Sequence, residues 1–171
     1  MYEVKKALNA ILAGYAYGIE EDFIWVENPT YDPTAMDDPN LVFYPKDFRS
    51  LFPTFYSIKQ VILLRKDLKM RRGKEIAQGA HASMGACLKS MEDPITKAWL
   101  AGKFTKIALY VNSLDEMLLY KEKADKLGCT TCLITDSGLT EFNGVPTVTA
   151  LAIGPEPSFI LDKITGHLVL C

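Results

Sequence analysis

From residue 57 onward, two periods of apolar and polar positions take turns along the chain, and the elements follow from them. "IKQVILLR" (58–65) is a short run of β-branched and aliphatic residues, the length of a buried strand rather than a helix. "TKIALYV" (105–111), "TTCLIT" (130–135) and "TVTALAI" (147–153) repeat the pattern and predict three more strands. Helices are predicted between them. Residues 74–91 form one, and "PITKAWLAG" (94–102) forms a short one ended by Gly102. "SLDEMLLYKEKADKLG" (113–128) opens on a Ser113/Glu116 capping box and stops at Gly128. Ser158 is expected to cap a last helix that ends before Gly166. Strands apolar on both faces, alternating with helices, predict an α/β sheet covered on both sides. The helical connections predict parallel neighbours, and the pattern leaves the last strand's partner open.

The first zone, residues 1–57, reads differently. Val4, Leu8, Ile11, Leu12 and Tyr15 make a helical stripe. The segment that follows, "ENPTYDPTAMDDPNLVFYPKDFRSLFPTFY", carries five prolines, which forbid a regular helix or central strand. Its Phe and Tyr content exceeds that of a plain linker. A segment wrapping over a main domain at 58–171 is the expectation. Charge divides along the same line. Residues 1–56 hold four Lys/Arg against nine Asp/Glu, and residues 57–171 hold fifteen against twelve. The main domain is therefore mildly basic, which permits a polyanionic partner. Four cysteines are too few and too scattered for a secreted disulfide framework. Cys129-Thr-Thr-Cys132 has no second CxxC, and His81 and His167 lie far apart. The expectation there is a helix-to-strand junction with one buried Cys and no metal site. No apolar run approaches the roughly 18 residues of a membrane span. Glu3 and Asn9 interrupt the signal-like N-terminus. A cytoplasmic protein without a membrane partner is expected.

"GKEIAQGAHASMGA" (73–86) carries the first chemistry. On a helix of about 100° per residue, Lys74, Gln78, His81 and Gly85 fall within about 60° of one another. Ile76, Ala80, Met84 and Cys87 fall opposite, the expected core face. Gly79, Ala82 and Gly85 flank the polar stripe and leave room for something to approach. Lys74 stands at the helix start, where a cation costs roughly 0.3–1 kcal/mol against the macrodipole and where free N–H groups favour an anion. "RKDLKMRRGK" places Arg65, Lys66, Lys69, Arg71, Arg72 and Lys74 around that turn against one acid, Asp67. The turn lies at the carboxyl end of a strand, where open α/β sheets bind ligands. It is not a phosphate loop of the Walker type: Leu68 stands where Gly is required and Glu75 where Ser or Thr is required. "HASMG" (81–85) lacks the first Gly of a nucleophile elbow, and Ser83 lies on the helix's buried side.

A second constellation follows the third strand in "ITDSGLTEFNGVPTVTALAIGP". Asp136 is expected at the strand's carboxyl end, then Gly138 and Thr140, with Thr147 and Thr149 entering the next strand. If strands one and three run the same way, Asp136 emerges on the same edge as Lys74. An ionised Asp136 could orient a water, and Lys74 or a threonine hydroxyl could stabilise an oxyanion. Plainer uses remain open for the same residues: a solvated basic turn, a hydrogen-bonded helix histidine at His81, and an Asx turn made by Asp136 with Gly138.

"VILLRKDLKMRRGKEIAQGAHASMGA", "DSGLTEFNG", "TVTALAIGP" and "LDKITGHLVL" together resemble the type 2 peptidyl-tRNA hydrolases, in order, over residues 58–171. The resemblance implies a three-layer α/β/α domain with a mixed, mostly parallel four-stranded sheet, commonly a homodimer. It implies hydrolysis, without metal or other cofactor, of the ester joining a peptide or blocked amino acid to the 3′ end of tRNA. It places the family's functional lysine at Lys74, its helix glutamine and histidine at Gln78 and His81, its aspartate at Asp136 and its hydroxyls at Thr140 and Thr149. Lys69, Arg71 and Arg72, with Gly138 and Thr147, complete the expected substrate contacts. Four features depart from the family: Arg71 for a glycine in the turn, Leu139 for an arginine, Glu141 for a glutamine, and an extra residue near Val145-Pro146. An added acid beside the site is expected to weaken a phosphate contact. A non-catalytic RNA-binding module, or an interaction protein using residues 1–56, is the alternative on the same fold.

Overall fold

The structure, a computed structural model, describes residues 57–171. The helix and wrapping segment expected before residue 57 lie outside the described residues. The elements are β1 (Ile58–Arg65), α1 (Arg72–Lys89), α2 (Pro94–Ala101), β2 (Lys106–Val111), α3 (Leu114–Lys126), β3 (Thr131–Asp136), β4 (Thr147–Pro157) and α4 (Ser158–Thr165), with a 3-10 turn at Lys66–Leu68 after β1. Each expected strand and helix of this region is present. β4 runs four residues past its expected end, because Glu156 and Pro157 keep pairing with Lys59 and Ile58 beyond a register shift. No described helix is long and apolar enough to cross a membrane.

The sheet order is β2-β1-β4-β3. β1 and β2 are parallel, with Val61 opposite Ile107. β4 lies antiparallel between β1 and β3, its Leu151 opposite Leu63 on one side and Leu133 on the other. The α/β sheet is as expected, but mostly parallel pairing is not. β1, β2 and β3 point the same way, yet only the β1–β2 pair is parallel among the described strands. The connections explain this. Helical crossovers return the chain in its original direction, whereas residues 137–146 carry no helix and lead straight back into β4.

α1 packs across β4, β3 and β1. Its buried residues are Gln78, Gly79, Ala82, Ser83, Ala86 and Cys87. The expected core face is thus displaced: Ile76 and Met84 are 65% and 61% exposed, and of the four expected residues only Cys87 is buried. Close approach to the sheet selects small side chains. A Cβ at Gly79 would touch Ile62 Cγ2 at 3.6 Å, and one at Gly85 would overlap Cys132 Sγ. Ala82 and Ala86 pack on Ile62, Leu64, Cys132, Ala150 and Ala152. The large residues line an open apolar groove of ≈ 1120 Å³ beside α1, with Leu88, Leu100 and Phe104. On the other sheet face α3 and α4 pack on β1 and β4, and Val61, Leu63, Leu151 and Ile153 of the strands, Met117 and Tyr120 of α3, and Leu161 and Ile164 of α4 are all buried. Full burial of each such aliphatic side chain is worth about 1.5–3 kcal/mol.

Three local expectations change. Ser113 Oγ accepts the Glu116 N–H at 3.1 Å as a cap should, but Glu116 returns its bond to the Asn112 N–H. Pro157, not Ser158, is the N-cap of α4, and the Ser158 hydroxyl instead accepts from Ser57 Oγ. The Cys129–Cys132 junction buries both thiols rather than one, because Cys132 falls on the sheet face under α1.

Candidate active site

The strand directions decide where side chains meet. β1 and β3 run the same way and β4 runs against them, so the carboxyl ends of β1 and β3 and the amino end of β4 share one edge. At that edge the chain leaves β1 through the 3-10 turn, passes Lys69 in the left-handed region (φ 48), and enters α1 from an extended Arg71. Arg71 provides no side-chain cap. The first N–H groups of α1 lack intrahelical partners, as at any helix start. Lys74 stands on this first turn, and Asp136 ends β3 directly across from it.

A continuous chain of hydrogen bonds joins the edge. Lys74 Nζ reaches Asp136 Oδ2 at 2.6 Å and donates to Thr140 Oγ1 at 3.0 Å. Gln78 Nε2 donates to the same Asp136 oxygen at 2.9 Å, and Gln78 Oε1 accepts from Thr149 Oγ1 at 2.6 Å. The Gly138 N–H donates to Asp136 Oδ1 at 2.9 Å. Gln78 and Thr149 are buried, while the Lys74 and Asp136 side chains are 12% and 13% exposed. The network is therefore anchored at its inner end and open at its outer end. The amide of Gln78 can point only one way, since a hydroxyl donor holds its oxygen and a carboxylate its nitrogen. Asp136 serves the Asx turn and the polar cluster together, one oxygen to each. Gly138 is required there: its φ is +80, and a Cβ would fall 2.2 Å from the Val145 carbonyl oxygen.

The Lys74 ammonium beside Asp136, helped by the Gly138 N–H, holds that carboxyl below its ordinary value despite partial desolvation. It stays ionised through neutral pH, suited to accepting a hydrogen bond rather than a proton. Lys74 uses two of its three N–H groups on Asp136 and Thr140, which leaves a third for another oxygen. The Phe142 ring lies 5.6 Å from Nζ and shelters it. The basic turn is less positive than its sequence suggests. Arg65 is held by Asp67 and the Val148 carbonyl, and Arg71 Nε by Glu141 at 2.6 Å. Lys66, Lys69 and Arg72 have no carboxylate partner among the described residues.

Two expected residues stand apart. His81 is exposed one turn beyond Gln78 and joins none of these bonds, and it has no hydrogen-bonded partner for its ring among the described residues. Thr147 Oγ1 donates to the Val145 carbonyl, inside its own loop. Residues 137–146 also contribute Phe142 beside Lys74, which sequence reading did not single out, and Glu141, expected as an acid beside the site, whose partner Arg71 was not foreseen. Opposite charges in two loops flanking one edge were the available signal, but it is readable only once the strand order is known. No group of three or more His, Cys, Asp or Glu placed to hold a metal occurs among the described residues.

The family model described as "Peptidyl-tRNA hydrolase PTH2" matches residues 58–171. A peptidyl-tRNA hydrolase of Thermococcus onnurineus is 41% identical over 119 residues, which cover 67% of this chain and 98% of the relative. One of Methanopyrus kandleri is 44% identical over 114 residues, 66% of this chain and 97% of the relative. A probable peptidyl-tRNA hydrolase 2 of Dictyostelium discoideum is 40% identical over 114 residues, 66% of this chain and 54% of the relative. With an edge that gathers Lys74, Gln78, Asp136, Thr140 and Thr149, and a family match over the whole of that sheet, the chain belongs to the peptidyl-tRNA hydrolase PTH2 family.

Proposed function

We propose that residues 58–171 form a hydrolase domain, with residues 1–57 an extension to it, that cleaves the ester between a peptide or N-blocked amino acid and the 3′ end of tRNA. The observation that carries this reading is the Lys74–Asp136 contact at the outer end of a network anchored inside the domain, next to Lys69 and Arg72, which have no carboxylate partner among the described residues. Asp136, ionised and fixed by Gln78 and Gly138, orients the attacking water, whose proton passes to the departing 3′ oxygen as the ester C–O bond breaks. As the carbonyl carbon becomes tetrahedral, the free N–H of Lys74 and the Thr140 hydroxyl stabilise the oxyanion. Thr149 acts through Gln78 to hold Asp136. Lys69, Arg71 and Arg72 hold backbone phosphates of the acceptor stem by charge. His81, exposed on the same helix stripe, fits a substrate contact rather than a part of the water-orienting group, and Thr147 shapes the loop that carries Thr140. The same reading carries a cytoplasmic location and a homodimer, the latter open to light scattering.

Incubation with N-blocked aminoacyl-tRNA and, separately, free aminoacyl-tRNA tests the assignment. Deacylation of the blocked substrate is expected, abolished by Lys74→Ala or Asp136→Ala in proteins that keep their far-ultraviolet circular dichroism. Wild-type rates in both variants would overturn it.

A further inference from the structure

The two loops that flank the site are joined by an ion pair outside the network described above. Arg71 Nε donates to Glu141 Oε1 at 2.6 Å, and the Arg71 backbone N–H points at Glu141 Oε2 at 3.4 Å. Arg71 is the N-cap of α1 and has no cap of its own, so Glu141 supplies a carboxylate to the helix start from the β3–β4 loop. A carboxylate there is favourable to the macrodipole, and the Arg71 guanidinium together with that N-terminal contact holds the Glu141 carboxyl below its ordinary value. The side chains differ in exposure: Glu141 is 13% exposed and Arg71 77%. An ion pair with so open a partner adds little stability. Its position is more telling. Glu141 directly follows Thr140, which accepts from Lys74, and its carboxylate occupies the place where N–H groups and cations would otherwise take a phosphate.

We propose that the Arg71–Glu141 pair is a clasp that positions Thr140 on Lys74 and, in the same contact, weakens the grip of the turn on substrate phosphate. Glu141 is thus a positioning and affinity-setting residue, an inference that rests on the hydrolase reading. A phosphate reaching Arg71 must compete with an internal anion, and the loop that bears Thr140 stays tethered by that anion.

The test compares Glu141→Ala, Glu141→Gln and Arg71→Ala in the full chain, with N-blocked aminoacyl-tRNA as substrate. Glu141→Ala lowers kcat about tenfold, within the range that loosening one positioned group costs, and lowers KM as well. Glu141→Gln keeps the shape and a neutral hydrogen bond, so it recovers kcat while KM stays low. Arg71→Ala lowers kcat like Glu141→Ala but raises KM. A purely structural role would lower kcat and raise KM in both variants, and would not lower KM in Glu141→Ala. An unchanged kcat, or a raised KM, in Glu141→Ala overturns the proposal while leaving the hydrolase reading intact. Filter binding of deacylated tRNA gives a readout independent of turnover. Glu141→Ala should bind more tightly, with a salt slope steeper by about 0.7–0.9, the increment for one further phosphate contact. An unchanged slope and affinity would overturn the affinity-setting role even in a chain that proved inactive.

Discussion

Replacing Gln78 with Leu separates what the polar network does for stability from what it does for chemistry. Gln78 is 3% exposed and bridges Thr149 Oγ1 to Asp136 Oδ2. Leucine of similar volume fills the space but leaves the buried Thr149 hydroxyl with only the Ile134 carbonyl, 3.5 Å away. An unsatisfied buried hydroxyl costs about 1–3 kcal/mol. The long residual contact puts the expected loss near the lower half, about 1–2 kcal/mol, or roughly 3–8 °C in Tm for a chain of this size. Asp136 keeps its bonds to Lys74 and the Gly138 N–H but loses one of three donors, so it gains freedom to turn. The expected result is a fall in kcat of about ten- to a hundredfold with KM little changed. The double variant Gln78→Leu/Thr149→Val removes the stranded hydroxyl as well. It should recover most of the lost Tm and none of the kcat, since replacing both partners of a buried bond is nearly neutral. Thermal melts and single-turnover deacylation read the two quantities. Recovery of kcat along with Tm, or wild-type kcat in Gln78→Leu, would refute the claim that Gln78 acts by holding Asp136.

Three further outcomes follow from the same geometry. The Asp136 carboxyl titrates below its ordinary value of about 3.9 in the folded chain, so its contribution to stability is complete above that pH and is lost as the pH falls through the depressed value; denaturant unfolding should show the gap between wild type and Lys74→Met narrowing as the pH drops from 6 to below 3.5. Gly138→Ala meets the Val145 carbonyl oxygen and a positive φ together; it should cost about 1–3 kcal/mol and lower kcat more than Tm suggests, because the N–H on Asp136 moves with it. Met84→Gln, on the exposed side of α1, should change stability by less than about 0.5 kcal/mol, whereas Ala86→Leu, under the same helix, should cost about 1–3 kcal/mol by overpacking.

The contrast between Met84 and Ala86 shows where the sequence could be read and where it could not. Strands and helices were legible because their periods differ and their ends carry Ser113, Gly128 and Gly166. Lys74, Gln78 and Asp136 were legible because polar groups on a small-residue helix and at a strand's carboxyl end are hard to explain otherwise. The buried face of α1 was not. Hydrophobicity ranks Ile76 and Met84 above Gly79 and Ser83, but distance to the sheet decides, and only small side chains fit so close. Pair directions were hidden for a related reason. Period-two alternation reports which face a residue takes, not which neighbour its strand has, and β4 reaches β1 across a gap of some ninety positions. His81 shares the helix stripe with Gln78, yet one more turn carries it beyond the reach of Asp136.

The placement of β4 also sets an order of events during synthesis. As the central strand shared by β1 and β3, it is the last of the four to leave the ribosome. Until it emerges, β1 and β3 lack the strand that joins them, because in the sheet order the two are not neighbours. The edge that joins Lys74 to Asp136 is therefore complete only once β4 has emerged, and a nascent copy still short of that point has the residues of the network but not their arrangement.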